Sequence, residues 1–222
     1  MAMEFFDSSD VTGLILAGGK STRMGGAEKG LQVLRGSPMV THVAQRIAPQ
    51  IAKLFLSANR CEDIYAQLGF HVLRDGRDGS LGPLAGIEAG LIQCQTPFLL
   101  CVPCDTPFIP TDLVAKLTQA LCDTNSDLVY AITNDGESDT VIERVHPIIA
   151  LMKSTVTQSL QAFLDVGGRK VQAWHQELNT FGVHFSSCES FANINTLDDI
   201  TSLNKLAGEQ VTNSDLRQEK IV

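Results

Sequence analysis

The segment Leu14-Ile-Leu-Ala-Gly-Gly-Lys-Ser-Thr-Arg-Met-Gly-Gly26 joins an apolar run to a loop rich in glycine and basic residues. The run Val11–Ala17 is typical of a strand buried on both faces, as in a parallel sheet. A glycine-rich turn after such a strand is a common phosphate-binding position in α/β proteins. The segment is not a Walker A loop, because Gly13 and Gly19 are separated by five residues and that motif has one fewer.

Apolar runs that predict strands alternate with helix-like spacing up to Thr133. This alternation predicts an α/β fold with three αβα layers and a Rossmann-like, mostly parallel sheet. The predicted strands are Val11–Ala17, Leu54–Ser57, Phe70–Leu73, Phe98–Pro103 and Leu128–Thr133. The predicted helices are Pro38–Ile51, Ile64–Leu68, Gly82–Cys94 and Pro110–Cys122.

The alternation loosens after Thr133. Strands are predicted at His146–Met152 and Thr180–Phe185, and a helix at Thr155–Leu164. Thr196, with an aspartate three residues later, predicts the capped start of another helix. The polar tail, residues 207–222, is expected to be flexible.

The composition argues against several classes of function. The net charge is −8 at pH 7, so a general nucleic-acid surface is not expected, because such surfaces need clustered Lys and Arg. No apolar stretch approaches the roughly 18 residues of a membrane span, and the N-terminus does not resemble a signal peptide. We therefore expect a cytoplasmic protein that acts without nucleic acid or membrane, with reduced cysteines.

The pair Cys101-Val-Pro-Cys104 has the spacing of a redox pair or of half a zinc site. No second pair of ligands follows at zinc-site spacing. Cys101 lies within an apolar run, so we favour a thiol buried in a strand at Cys101 and a simple neighbour of Asp105 at Cys104.

Ligands in open α/β sheets bind beyond the carboxyl ends of the strands. This rule selects the loops Gly18–Lys29, Arg74–Pro83 and Cys104–Pro110. The first contains Lys20, Arg23 and Lys29, which suit a polyphosphate.

Asp105 follows the most apolar strand and could hold Mg²⁺, although an Asp before Thr-Pro also forms turns. Asp75 lies just past the third predicted strand, in a segment rich in Asp and Gly that is typical of a turn. Gly82–Ile87 has little side-chain bulk and would allow a base or ribose to lie close. His146 is either a general base or a structural histidine, and the structural role is favoured.

The loops together resemble a known family. Leu16-Ala-Gly-Gly-x3-Arg23-Met-Gly with Lys29 is similar to the opening signature of nucleotidyltransferases that join a nucleoside monophosphate to a phosphorylated acceptor. Further motifs resemble the MobA family of molybdenum cofactor guanylyltransferases. They are Met24-Gly-Gly-Ala-Glu-Lys-Gly-Leu31, Gly82-Pro-Leu-Ala-Gly86, Pro103-Cys-Asp-Thr-Pro107, His146-Pro-Ile-Ile-Ala-Leu151 and Phe191-Ala-Asn-Ile-Asn-Thr196.

The resemblance implies a sheet of the nucleotidyltransferase type and a Mg²⁺-dependent reaction of GTP with molybdopterin. It implies one domain, 1–206, with a nucleotide-binding half at about 11–133 and an acceptor-binding half at about 134–206. The implied catalytic residues are Arg23, Lys29 and Asp105, with Asp105 also the metal ligand. The implied nucleotide-binding residues are Leu16, Ala17, Gly18, Gly19, Lys29, Ser57, Asp75, Gly82, Pro83, Leu84 and Asp105, and the acceptor-binding residues are His146, Asn193 and Asn195.

The chain departs from the family pattern at Glu28, where Asp is usual, at Ser57, where Asn is expected, and at Leu197, where Pro is frequent. The alternatives are a CTP-using enzyme acting on the same pterin, a sugar-phosphate nucleotidyltransferase, and a non-catalytic adaptor that binds GTP or pterin. The expected partners are GTP and molybdopterin, with other proteins of cofactor synthesis and the enzymes that receive the product. A monomer is expected.

Overall fold

The computed structural model describes residues 7–18, 28–77, 82–135 and 142–205. The strands are β1 (Val11–Leu16), β2 (Val33–Leu34), β3 (Ser37–Pro38), β4 (Lys53–Ser57), β5 (His71–Leu73), β6 (Phe98–Pro103), β7 (Leu128–Asp135), β8 (Ile142–Lys153) and β9 (Thr180–Phe185). The helices are α1 (Met39–Ile47), α2 (Glu62–Gln67), α3 (Pro83–Gln93), α4 (Leu113–Thr124), α5 (Thr157–Asp165), α6 (Val171–His175) and α7 (197–205).

Within the described ranges, a seven-stranded sheet has the order β5-β4-β1-β6-β8-β7-β9. Strand β1 lies inside it, parallel to β4 and β6, and all six β1 residues are buried. The pairs β4–β5 and β7–β9 are also parallel. The mostly parallel α/β sheet expected from the sequence is therefore confirmed.

Strand β8 runs antiparallel to both of its neighbours, β6 and β7. It is also longer than the predicted strand His146–Met152. The physical reason is the short link from β7: a hairpin closes with a few residues, whereas a parallel return needs a crossover of about a dozen or more.

Side chains of β1 alternate between two cores. Ile15 packs with residues of α1 and α4 on one face of the sheet, and Leu14 and Leu16 pack with residues of α3, α5 and α6 on the other. The predicted three-layer arrangement follows from this double burial.

Helix limits differ from the predicted ones at their ends. The segment predicted as Pro38–Ile51 forms α1 and then a 3₁₀ turn, Ala48–Gln50. Pro49 explains the change, because it has no N–H for the helical ladder. The predicted cap of α7 is confirmed: Thr196 N donates to Asp199 Oδ2, and Asp199 N donates to Thr196 Oγ1.

Helix α3 lies very close to the sheet, and two glycines permit this. A Cβ added at Gly86 would be 2.5 Å from Ser57 Oγ and 2.7 Å from Leu16 Cδ2. One added at Gly90 would be 2.6 Å from Leu14 Cδ2. The start of α3 is thereby pressed against the carboxyl ends of β1 and β4.

The described helices include none with the combination of length and apolar character that crossing a membrane requires.

His175 is a buried histidine whose Nε2 has no hydrogen-bond partner among the described residues. Its ring lies 5.7 Å from that of Tyr130 and 5.8 Å from that of Trp174, centroid to centroid. Burial lowers the pKa of His175 to about 4, because the charged imidazolium would lose its hydration.

This burial predicts a loss of stability in mild acid. The unfolded chain protonates His175 near its ordinary pKa of about 6.5, while the folded protein holds it neutral down to about 4. The His175 contribution is complete above about pH 6.5 and is lost as the pH falls toward 4. Between pH 7 and pH 5 we expect His175→Leu to lose about 2 kcal/mol less unfolding free energy than the wild type.

Urea unfolding at the two pH values measures this difference. His184→Leu is the control, since His184 is an exposed histidine on β9. Equal pH dependence in the wild type and His175→Leu would contradict the assignment.

Candidate functional site

The carboxyl ends of four strands meet at one rim of the sheet. Ala17 N donates to Ser57 O at 2.9 Å, and Cys104 N donates to Leu16 O at 3.0 Å. Ala58 N donates to Leu73 O at 3.0 Å. These bonds extend the parallel ladders one residue past β1, β4 and β6, so the predicted residues Leu16, Ala17 and Ser57 are neighbours.

The start of α3 joins this rim. Gly82 has φ +71° and ψ −160°, a conformation that glycine adopts without strain, and Pro83 begins the helix. The first-turn N–H groups have no partner within the helix. In the described structure, no side chain caps this end either. The predicted residues Gly82, Pro83 and Leu84 thus place the positive end of the helix dipole near Ser57.

Lys29 forms the centre of the polar cluster at the rim. Its Nζ lies 2.5 Å from Asp105 Oδ2 and donates to Asn195 Oδ1 at 2.7 Å. The Lys29 and Asp105 side chains are only 20% and 14% exposed, so the pair is partly shielded from water. Three predicted site residues, far apart in sequence, are therefore in direct contact.

The segment before α7 is fastened to the loop after β6. Ile194 N donates to Asp105 O at 2.9 Å, and Thr106 Oγ1 donates to Asn193 Oδ1 at 3.1 Å. Asp199 accepts the backbone N–H groups of Asn195 and Thr196, which lowers the pKa of its carboxyl. Asn193 and Asn195 are consequently held beside Asp105.

Glu28, which stands where the family usually has Asp, forms an ion pair with Arg60. Its carboxylate lies 2.7 Å from Arg60 Nε, and its side chain is 8% exposed. Burial raises the pKa of Glu28, and the Arg60 charge opposes that rise. The ion pair ties the residue before Lys29 to the loop between β4 and α2.

Asp75 is bound on one side by Asn59. Asn59 Nδ2 donates to Asp75 Oδ2 at 2.7 Å, and Asp75 N donates to Asn59 Oδ1 at 3.0 Å. Two residues on, Arg77 pairs with Glu88 of α3. Sequence reasoning missed the roles of Asn59, Arg77 and Glu88, although Glu88 is the one charged residue in the apolar run Gly82–Cys94.

Other predicted site residues are less directly connected. Ser57 is 3% exposed, with its Oγ beneath Gly86. His146 Nε2 is 2.9 Å from Thr133 Oγ1, and its ring packs on Phe191. Gly18 is exposed at the end of β1. Gly19 and Arg23 lie outside the described residues.

The predicted burial of Cys101 in a strand is confirmed. Both thiols are buried, with Cys101 in the core on the α3 face and Cys104 in the core on the α1 face. Burial raises the pKa of Cys101 above its ordinary value and that of Cys104 to about 12. Both are free thiols on opposite sides of the sheet.

The donor chemistry at the rim fits Mg²⁺. The Asp105 carboxylate presents oxygen atoms, and Mg²⁺ prefers oxygen ligands, usually one or two carboxylates with waters and phosphates. The side-chain oxygens of Asn193 and Asn195 accept hydrogen bonds from Thr106 and Lys29. Across the described ranges, no group of three or more His, Cys, Asp or Glu side chains could hold a metal ion by itself. A metal at Asp105 would therefore share its ligands with a substrate.

This chain is similar to known proteins over most of its length. Residues 13–179 match the family model described as a MobA-like NTP transferase domain. Relatives named molybdenum cofactor guanylyltransferase include one from Ralstonia pickettii (strain 12J), 44% identical over 88% of this chain and 97% of the relative. Another, from Bordetella petrii, is 41% identical over 89% and 98%.

Solved structures share the fold at lower identity. Molybdopterin-guanine dinucleotide biosynthesis protein A from Archaeoglobus fulgidus superposes with a TM-score of 0.70, 20% identity and coverage of 89% of this chain and 99% of that one. A 4-diphosphocytidyl-2C-methyl-D-erythritol synthase from Anaerococcus prevotii has a TM-score of 0.70, 15% identity and coverage of 91% and 100%.

The buried thiols predict selective modification. In the folded protein we expect a disulfide reagent to react quickly with the exposed Cys61 and negligibly with Cys101 or Cys104, because reaction needs an accessible thiolate. Cys61→Ser should remove a fast step of thiol titration, and the control Cys104→Ser should leave it intact. A disulfide between Cys101 and Cys104, detected by mass spectrometry of the folded protein, would contradict this.

Proposed function

The chain belongs to the family of MobA-like NTP transferases, and from that premise we propose that it transfers GMP from GTP to the terminal phosphate of molybdopterin. The product is molybdopterin guanine dinucleotide, and pyrophosphate is released. The observation that carries the proposal is the Lys29–Asp105–Asn195 cluster, which the family's motifs bring together at one rim of the sheet.

The residues would divide the work by position. Backbone groups of Leu16, Ala17 and Gly18 would line the nucleotide, with the N-terminal end of α3 beside them. Lys29 would contact its phosphates: two of its three N–H donors go to Asp105 and Asn195, which fixes the direction of the third. Asn193 and Asn195 would face the acceptor.

The proposed reaction needs no nucleophile from the protein. An oxygen of the acceptor phosphate forms a bond to the α-phosphorus of GTP, and the bond from that phosphorus to the β-phosphate bridging oxygen breaks. Transfer of this kind depends on positioning and charge neutralisation. Bound through Asp105, Mg²⁺ would offset charge on the phosphates. Lys29, which is bound to Asn195, would neutralise further negative charge on the phosphates. Arg23 would add another positive charge.

Ser57 enters this proposal with a restricted role. Its side chain lies beneath the α3 backbone at Gly86. Its backbone O accepts a hydrogen bond from Ala17 N, so Ser57 would order the rim through its backbone. Asn59, two residues later, has an exposed side chain. Its amide donates a hydrogen bond to Asp75.

Turnover with matched nucleotides tests the proposal. Purified protein, Mg²⁺ and molybdopterin are incubated with GTP or CTP, and pyrophosphate release and the dinucleotide product are measured. We expect product with GTP and far less with CTP. Preference for CTP would favour a cytidylyltransferase, and GTP binding without pyrophosphate release would favour a non-catalytic adaptor.

Two substitutions test the proposed charges. Lys29→Ala and Asp105→Ala are each expected to lower kcat by about 10³-fold, because removing a charge-compensating group in phosphoryl transfer costs about that much. The matched controls are Lys116→Ala and Asp112→Ala, which break an exposed ion pair at the start of α4 and should leave turnover unchanged. Circular dichroism should show the same fold for all four variants.

Wild-type turnover in Lys29→Ala or Asp105→Ala would refute the assigned roles.

A further inference from the structure

Arg77 joins the loop after β5 to two helices. Its Nε donates to Glu88 Oε2 at 2.8 Å, and its Nη2 donates to Glu88 Oε1 at 2.8 Å. Its Nη1 donates to Asp165 Oδ1 at 2.6 Å. Because the guanidinium is planar and is held in two directions, the position and orientation of this loop residue are both fixed.

The Glu88 side of this contact is costly to bury. The Glu88 side chain is 5% exposed, in a helix whose buried residues are otherwise leucine, isoleucine, alanine and glycine. An isolated buried carboxylate is strongly unfavourable, and an apolar residue at such a position is often at least as stabilising as a buried ion pair. Stability of α3 alone does not account for Glu88, whereas attachment of Arg77 does.

The same loop is anchored a second time. Asp75 exchanges two hydrogen bonds with Asn59. Without the Arg77 anchor, the described residues of this loop would be held by Asn59 and Glu62 but not by a side chain of α3. With it, Asp75 lies at a fixed place relative to α3.

We propose that Arg77 is a positioning residue that sets Asp75 against the start of α3 before the nucleotide binds. The inference rests on the proposed function, in which the start of α3 lies beside the nucleotide, and on the family resemblance, which implies that Asp75 binds the nucleotide. A loop that is already ordered loses less conformational freedom on binding. Arg77 therefore acts on nucleotide affinity rather than on the chemical step.

The first test is Arg77→Lys, which keeps the charge and removes the two-pronged contact. We expect KM for GTP to rise about tenfold, with kcat within about twofold of the wild type. Arg74→Lys is the matched control, because Arg74 is on the same loop and pairs with Glu62 at an exposed surface. An unchanged KM in Arg77→Lys, or a fall in kcat without a rise in KM, would overturn the proposal.

The second test separates positioning from folding. The double variant Arg77→Met/Glu88→Leu replaces the ion pair with apolar side chains and should recover the melting temperature that Arg77→Met alone loses. It cannot restore the attachment of Asp75, so KM for GTP should stay raised. Recovery of KM together with the melting temperature would show a structural role only, and the proposal would fail.

The third test needs no substrate. Hydrogen exchange of the Asp75 amide, which is bonded to Asn59 Oδ1, should become about tenfold faster in Arg77→Lys and in the double variant, but not in Arg74→Lys. Unchanged exchange would overturn the proposal. If the wild type shows no turnover with GTP, the proposed function fails, and this exchange measurement still decides whether Arg77 orders the loop.

Discussion

The burial of β1 on both faces is the constraint from which the rest of the molecule follows. Its residues alternate between two cores, so helices must cover the sheet on both sides. Its backbone pairs with β4 on one side and β6 on the other. The loops after these three strands therefore open at one rim, where Leu16 accepts from Cys104 and Ala17 donates to Ser57.

The polar groups at this rim organise one another. Lys29 is held by Asp105 and Asn195, and the Asn193–Thr196 segment is held by Asp105, Thr106 and Asp199. The site therefore needs both ends of the chain: the loop after β1 brings the cation, and the segment before α7 brings the amides. Because the ion pair is partly shielded from water, its geometry is better defined than that of an exposed pair.

Sequence reasoning reached the sheet and the rim because both follow from short-range patterns. The apolar run at Phe98–Pro103 specified β6 to the residue, and the rule for strand ends selected Lys29 and Asp105. The direction of β8 was missed, since apolar residues mark a buried strand without marking its direction. The family resemblance implied that Asn195 is a site residue but not that it contacts Lys29. Pairs such as Arg77–Glu88 depend on the tertiary fold and cannot be inferred from local spacing.

The antiparallel insertion of β8 between β6 and β7 has a consequence for synthesis of the chain. While the polypeptide emerges from the ribosome, β6 is complete some fifty residues before its second neighbour is finished. Its backbone N–H and C=O groups on that side then have no strand to pair with, beside the apolar Phe98–Val102. Such an interval invites intermolecular strand pairing, so a chain that ends before β8 would leave this edge of β6 open to another chain.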